Sequence, residues 1–294
     1  MDIYLAAEHA YHLVPQITPD IARDRVEQKK ANLVAGTVGA LLSRPKPEEI
    51  QLVSLENRLE PFWLVTIFTR TAYDRNRTFT VNVGGPEVKR VTVLGQEVPV
   101  TTPASPKGGL AGLGQEKPVS SFSLAGVEQC VEEARLTRTF DGLSGQPADF
   151  SRYTTFAKTE IADINAFAPE GVLVVPPQVR ATAVVRQVMA EAVKPIQHAQ
   201  VIHEERVEVE VMDVNFRPVY AFEFEWAAKG KRAIIEFDAL TGDQRVGGKK
   251  WSDQIKGMLT RDLLFDVTAD AVSMIVPGGG IAVKLVKAVV DRGK

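Results

Sequence analysis

The stretch PVYAFEFEW, Pro218 to Trp226, most constrains the fold. Its side chains alternate: Tyr220, Phe222, Phe224 and Trp226 point one way, and Ala221, Glu223 and Glu225 point the other. A period of two is the signature of a β-strand, since successive Cβ atoms leave opposite faces of a sheet. One apolar and one charged face suit a sheet covered on a single side, with Glu223 and Glu225 solvated and protecting an edge.

A second run shares the pattern. With Pro61 laid on Pro218, Ile50 and Leu52 fall on Val207 and Val209, Glu56 on Asp213, and Trp63, Val65 and Ile67 on Tyr220, Phe222 and Phe224. After a one-residue slip, Phe79, Val81 and Val83 meet Ile235, Phe237 and Ala239, and Asn82 meets Asp238. Each proline is expected at a strand entrance, where its missing N–H does least harm. A helix is expected before each strand set. The first opens with Thr18 as N-cap and Pro19 at the first helical position, and carries Ala22, Val26, Leu33, Val34, Val38 and Leu41 on one stripe. The second starts near Pro177 with Ala181, Val184, Val185, Val188 and Ala192, and ends before Pro195.

These patterns predict an α+β protein, a tandem repeat of helix-on-antiparallel-sheet domains with a C-terminal helical segment. The first repeat is expected over 1–97 and the second over 171–250. Between them, 98–170 reads as a linker with a short helix capped by Ser123 and an irregular segment, and 251–294 as a helical hairpin. The second repeat, closing with PVYAFEFEW and RAIIEFDALTGD, resembles the PepSY and cystatin-like families through one helix on a curved sheet and an Asp-x-x-Thr-Gly turn. The resemblance covers about 70 residues and implies the cystatin-like fold. PepSY-type domains are mostly extracytoplasmic and tied to peptidase regulation. The N-terminus here has no basic flank or apolar stretch of a secretory signal, so a cytoplasmic location is expected and only the fold is carried over.

Bulk properties narrow the function. The 294 residues carry a formal charge of −2, which leaves no global field for nucleic acid or an anionic membrane. The basic KGKR, Lys229 to Arg232, reads as a solvated hairpin turn. One cysteine excludes an internal disulfide, and Cys130 fits a helical apolar face with Val127 and Val131. GGLAGLG, 108–114, lacks the Gly-Lys-Ser/Thr ending of a phosphate loop and reads as a flexible loop. No cofactor motif and no G-x-S-x-G elbow is present.

The candidate binding residues are Leu285, Val286 and Val289, on one face of an expected last helix that docks to a protein partner or to a second copy of the chain. Membrane contact through this tail is the less favoured alternative. The four histidines form two pairs. His9 and His12, with Glu8, would share a helical face, and His198 and His203 sit in a segment found only in the second repeat. With Glu204 or Glu205, His198 and His203 are the candidate ligands of a metal-assisted hydrolase, the rival to a non-enzymatic binding or adaptor protein.

Overall fold

A computed structural model describes residues 1–35, 46–85, 87–102, 119–251, 260–266 and 284–287, with backbone alone at 263 and 284–287. Its strands are β1 Asp2–Leu5, β2 His9–Leu13, β3 Ile50–Asn82, β4 Arg90–Val93, β5 Gln96–Pro99, β6 Ser121–Asp141, β7 Lys158–Glu160, β8 Leu173–Val174, β9 Val201–Trp226, β10 Lys231–Asp238, β11 Gln244–Val246 and β12 Lys284–Lys287. Three bounded helices are described: α1 Pro19–Glu27, α2 Ala181–Ala192 and the one-turn α3 Arg261–Leu264. Helical backbone also covers 30–35. Among the described residues no helix is long and apolar enough to cross a membrane.

Neither the α+β class nor the tandem repeat is what forms: the described residues are mostly strand. Ten strands join one mixed sheet, in which β3 pairs directly with β9. The two look-alike runs are therefore hydrogen-bond neighbours. β1 and β2 run parallel to β9, whereas β10 is antiparallel to it. The equivalence also fails in the packing. Trp63, Val65 and Ile67 enter one core, with Ile3, Val214, Phe216 and the α2 residues Val184, Val185 and Val188. Their supposed counterparts Tyr220, Phe222 and Phe224 enter another, with Ala22 and Val26 of α1 and Ile235 and Phe237 of β10. Similar alternation arose from similar half-buried environments, which is all a period of two encodes. Pro61 and Pro218 lie inside strands. On β9 the proline stands where the chain passes from the first core, at Phe216, to the second, at Tyr220.

Helix positions were legible where a cap or an apolar stripe marked them, although α1 ends at Glu27 and a turn at 28–29 interrupts the expected first helix, and α2 begins at Ala181 rather than near Pro177. The Thr18 side chain accepts from the Ile21 amide and Pro19 opens α1. The apolar stripe of α2 is buried as its spacing requires. The helix expected from Ser123 to Leu136 is instead part of β6, because pairing with β3 overrides a helical apolar spacing that is equally compatible with a strand. The last expected helix is also corrected: 284–287 is a strand, paired in parallel with β1. The rest of that segment, with residues 36–45 of the first helix and the glycine-rich 108–114, lies outside the described residues.

The chain forms two compact units whose segments interleave. Met1–Thr69, Ala134–Lys194 and Arg206–Lys294 make the first, and Arg70–Glu133 with Pro195–Glu205 make the second. The two aromatic-rich cores lie in the first unit.

Candidate functional site

The functional geometry of the first unit lies on the sheet face opposite the Tyr220–Phe222–Phe224 core. Alternation places Arg217 and Glu223 of β9 there, beside Glu236 and Asp238 of β10. β3 adds Glu56, Arg58 and Glu60 at spacings of two. This face is not the solvated one its charges suggest. β9 lies between β10 and β1, so it is no edge, and Arg58, Glu60, Glu223, Glu236 and Asp238 are all buried.

Burial is sustained by reciprocal pairing, because charge removed from water must be matched by charge and hydrogen bonds. Arg58 is 1% exposed. Its Nη1 donates to Glu236 Oε1 at 3.1 Å and, more loosely, to Glu60 Oε1 at 3.5 Å, while Nε donates to Glu56 Oε2 at 3.0 Å. Its Nη2 donates to the Lys249 carbonyl. Arg217 donates to Asp238 Oδ2 at 2.8 Å and to Glu60 Oε2 at 2.7 Å. Arg245 grips Glu236 Oε2 through Nε at 3.1 Å and Nη2 at 2.6 Å. Asp238 completes its shell with the Tyr153 hydroxyl at 2.5 Å and, through Oδ1, the amides of Leu240 and Thr241. The Asp-x-x-Thr-Gly turn thus forms as its sequence suggests, with Gly242 at φ +79°, and the same aspartate also anchors the ionic floor.

Titration behaviour follows from this packing. Burial raises the Glu60 pKa, and Arg217 and Arg58 only partly offset it. For Arg217 burial acts to lower the pKa, but Glu60 and Asp238 overcome it and the net shift is upward. Burial, then the hydrogen bond to Asp238, pushes the Tyr153 phenol up. A hydrogen bond from Ser54 leads the forces that hold Glu223 low.

Above this floor opens a cavity of about 730 Å³, bordered by Glu60, Arg217, Glu236, Arg245, Lys249 and Trp251, among others. That volume lies within the range of small-molecule sites. One wall is the strap Gly247 to Trp251, held by the Arg58 contact to the Lys249 carbonyl and by the Trp251 amide donating to Glu56 at 3.3 Å. The strap needs its glycines. Gly247 has φ +106°, and a Cβ at Gly248 would collide with the Glu236 carboxylate, which two arginines hold in place.

The residues singled out from sequence lie elsewhere. His198 has φ +67° between α2 and β9. In the second unit, His203 Nε2 pairs with Asp74 Oδ2 at 2.9 Å, and Glu204 accepts from Arg70 at 3.1 Å. His9 and His12 are on a strand, β2, not a helix, so a spacing of three sends them to opposite faces. His9 pairs with Glu160, His12 stacks on Phe167, and Glu8 accepts from Arg261. Among the described residues no group of three or more His, Cys, Asp or Glu is placed to hold a metal. Leu285 and Val286 lie in β12, opposite Ile3 and Tyr4 of β1, and Val289 lies outside the described residues. Sequence reasoning missed Arg58, Glu60, Arg217 and Glu236, and read Asp238 only as a turn residue. The available signal was the ENRLE run, in which Glu56, Arg58 and Glu60 alternate both signs on one strand face.

No family model, curated protein or solved structure matches the chain.

Proposed function

We propose that this protein is a binding protein rather than an enzyme, and that the cavity over the Arg58–Arg217 floor receives a small polar ligand. The observation that carries the reading is the reciprocal pairing of the floor. Glu236 is committed to Arg58 and Arg245, and Asp238 to Arg217, Tyr153 and two turn amides. Carboxylates so engaged are poor proton acceptors, since transfer must first break charge-assisted bonds. The same bonds fix their positions, as recognition of a polar ligand requires. Gly247 and Gly248 let backbone approach this floor, and Trp251 gives the rim an aromatic surface for a ligand's apolar part.

The test is a thermal-shift screen of the full chain against small polar compounds, repeated on Arg245→Ala. Arg245 has an exposed side chain and Glu236 keeps Arg58 when it is truncated, and the melting temperature of the unliganded variant checks that it folds. Ligand at one hundred times its Kd stabilises by about 2.7 kcal/mol. Stabilising compounds should lose most of that effect in Arg245→Ala and be recovered chemically unchanged. Hits indifferent to Arg245, or converted to product, refute the proposal.

The second unit favours a second reading, contact with another protein. Phe79, Val81, Val127, Val131, Val201 and Ile202 are exposed on its strands, and such surface favours burial against a partner or a second copy.

A further inference from the structure

We infer that the cavity of the first unit binds a zwitterion whose cationic and anionic groups are several bonds apart, such as a short peptide with free ends or an ω-amino acid. This deepens the binding reading and rests on it.

Ionisable groups of both signs line the cavity: Glu60, Asp141 and Glu236 against Arg217, Arg245 and Lys249. A ligand of one sign would meet repulsion from half of them, whereas a zwitterion can be matched at both ends. What distinguishes the lining groups is how far each is already satisfied. Arg217 has both terminal nitrogens engaged, and both Glu236 oxygens accept from arginines. Glu60 differs: Oε2 holds Arg217, but Oε1 has only the long 3.5 Å contact from Arg58. Asp141 is only half-buried and spends Oδ1 on the Leu143 and Ser144 amides and the Ser144 hydroxyl of its own turn. Glu60 is therefore the buried lining carboxylate with acceptor capacity to spare, and burial makes a new cation there more valuable than in water.

At the rim the complementary position is Lys249. Its ammonium has no ion-pair partner among the described residues, while its carbonyl is pinned by Arg58. Among the described residues the side chain is thus an unpaired cation on a pinned backbone, and exposed Arg245 lines the same cavity. Glu60 is 5% exposed and Lys249 is exposed, so an amine at the first and a carboxylate at the second are held at different depths of one cavity. The two charges of an α-amino acid share a single carbon, so a longer zwitterion is required. Trp251 lines the same cavity and can cover the intervening chain.

The experiment is calorimetric titration of the full chain with trialanine, with N-acetyl-trialanine and with trialanine amide. Free trialanine should bind, and blocking either end should weaken binding about tenfold or more, as expected for loss of one charge-assisted contact. Lys249→Ala should weaken trialanine and leave the amide unaffected, since Lys249 serves only the carboxylate. Glu60→Gln should weaken trialanine and spare the acetylated peptide. Blocked peptides that bind as well as the free one overturn the inference, as does a Lys249→Ala effect equal on acid and amide. If no peptide binds while screened compounds still respond to Arg245→Ala, the zwitterion inference fails and the binding reading stands. If neither responds, both fail.

Discussion

Removing the Arg58 guanidinium is the sharpest challenge to this description of the first unit. In Arg58→Met the new side chain nearly fills the stem's volume but donates nothing. Glu236 keeps Arg245, Glu60 keeps Arg217, and Glu56 keeps the Trp251 amide. Each carboxylate therefore survives with a partner, but buried Glu60 and Glu236 and the partly buried Glu56 are left with one cation fewer among them. The Lys249 carbonyl loses its donor, which loosens the strap. Breaking a buried ionic group by deleting one member costs about 3–5 kcal/mol, a large share of the ~5–15 kcal/mol that stabilises an ordinary domain. Adding the four lost bonds separately would overshoot, because the carboxylates share their remaining cations.

The assay is urea unfolding of wild type and Arg58→Met at pH 7 and pH 5. A midpoint shift at unchanged slope reports the free-energy difference. The deficit should be smaller at pH 5. Without Arg58, the upward displacement of the Glu60 pKa grows, since Arg58 is one of the charges that lower it. Protonation at pH 5 then removes part of the uncompensated charge. A deficit below about 1 kcal/mol, the range of exposed ion pairs, or one identical at both pH values, would refute a buried, charged floor.

Legibility in the sequence ended where local pattern ended. Thr18-Pro19 and the α2 stripe mark helices because caps and a 3.6 period act within a few residues. The Tyr220–Trp226 alternation likewise gave the correct buried face. It could not say what covers the opposite face. Glu223 reads as solvated until Ser54 and Lys250 are found against it, from 169 and 27 residues away in the chain. The same holds for the floor, where Arg58 meets Glu236 across 178 residues. Two strands with one alternation also look alike whether they repeat a domain or pair within a sheet, and only β3–β9 pairing separates the two. Mixed-sign charges at spacing two, as in Glu56-Arg58-Glu60, are the local trace such a network leaves.

The remaining predictions concern the core and the proton. Trp63 is fully buried, donates its indole N–H to the Val179 carbonyl at 2.9 Å and meets the Phe265 ring edge to face, so Trp63→Ala should cost about 3–5 kcal/mol in urea unfolding; an unchanged midpoint would contradict its placement. Glu60→Gln tests the titration. The folded-state pKa of Glu60 is raised, mainly by burial, so the native state binds its proton more tightly than the unfolded chain does. The stability this group contributes is then fully present below its ordinary carboxylate pKa and is lost as pH rises through the folded value. Glutamine cannot titrate, so wild-type stability minus that of Glu60→Gln should fall as pH is raised from the ordinary carboxylate range toward neutrality. A difference that grows with pH would mean that Arg217 and Arg58 outweigh burial and hold the Glu60 pKa below its ordinary value.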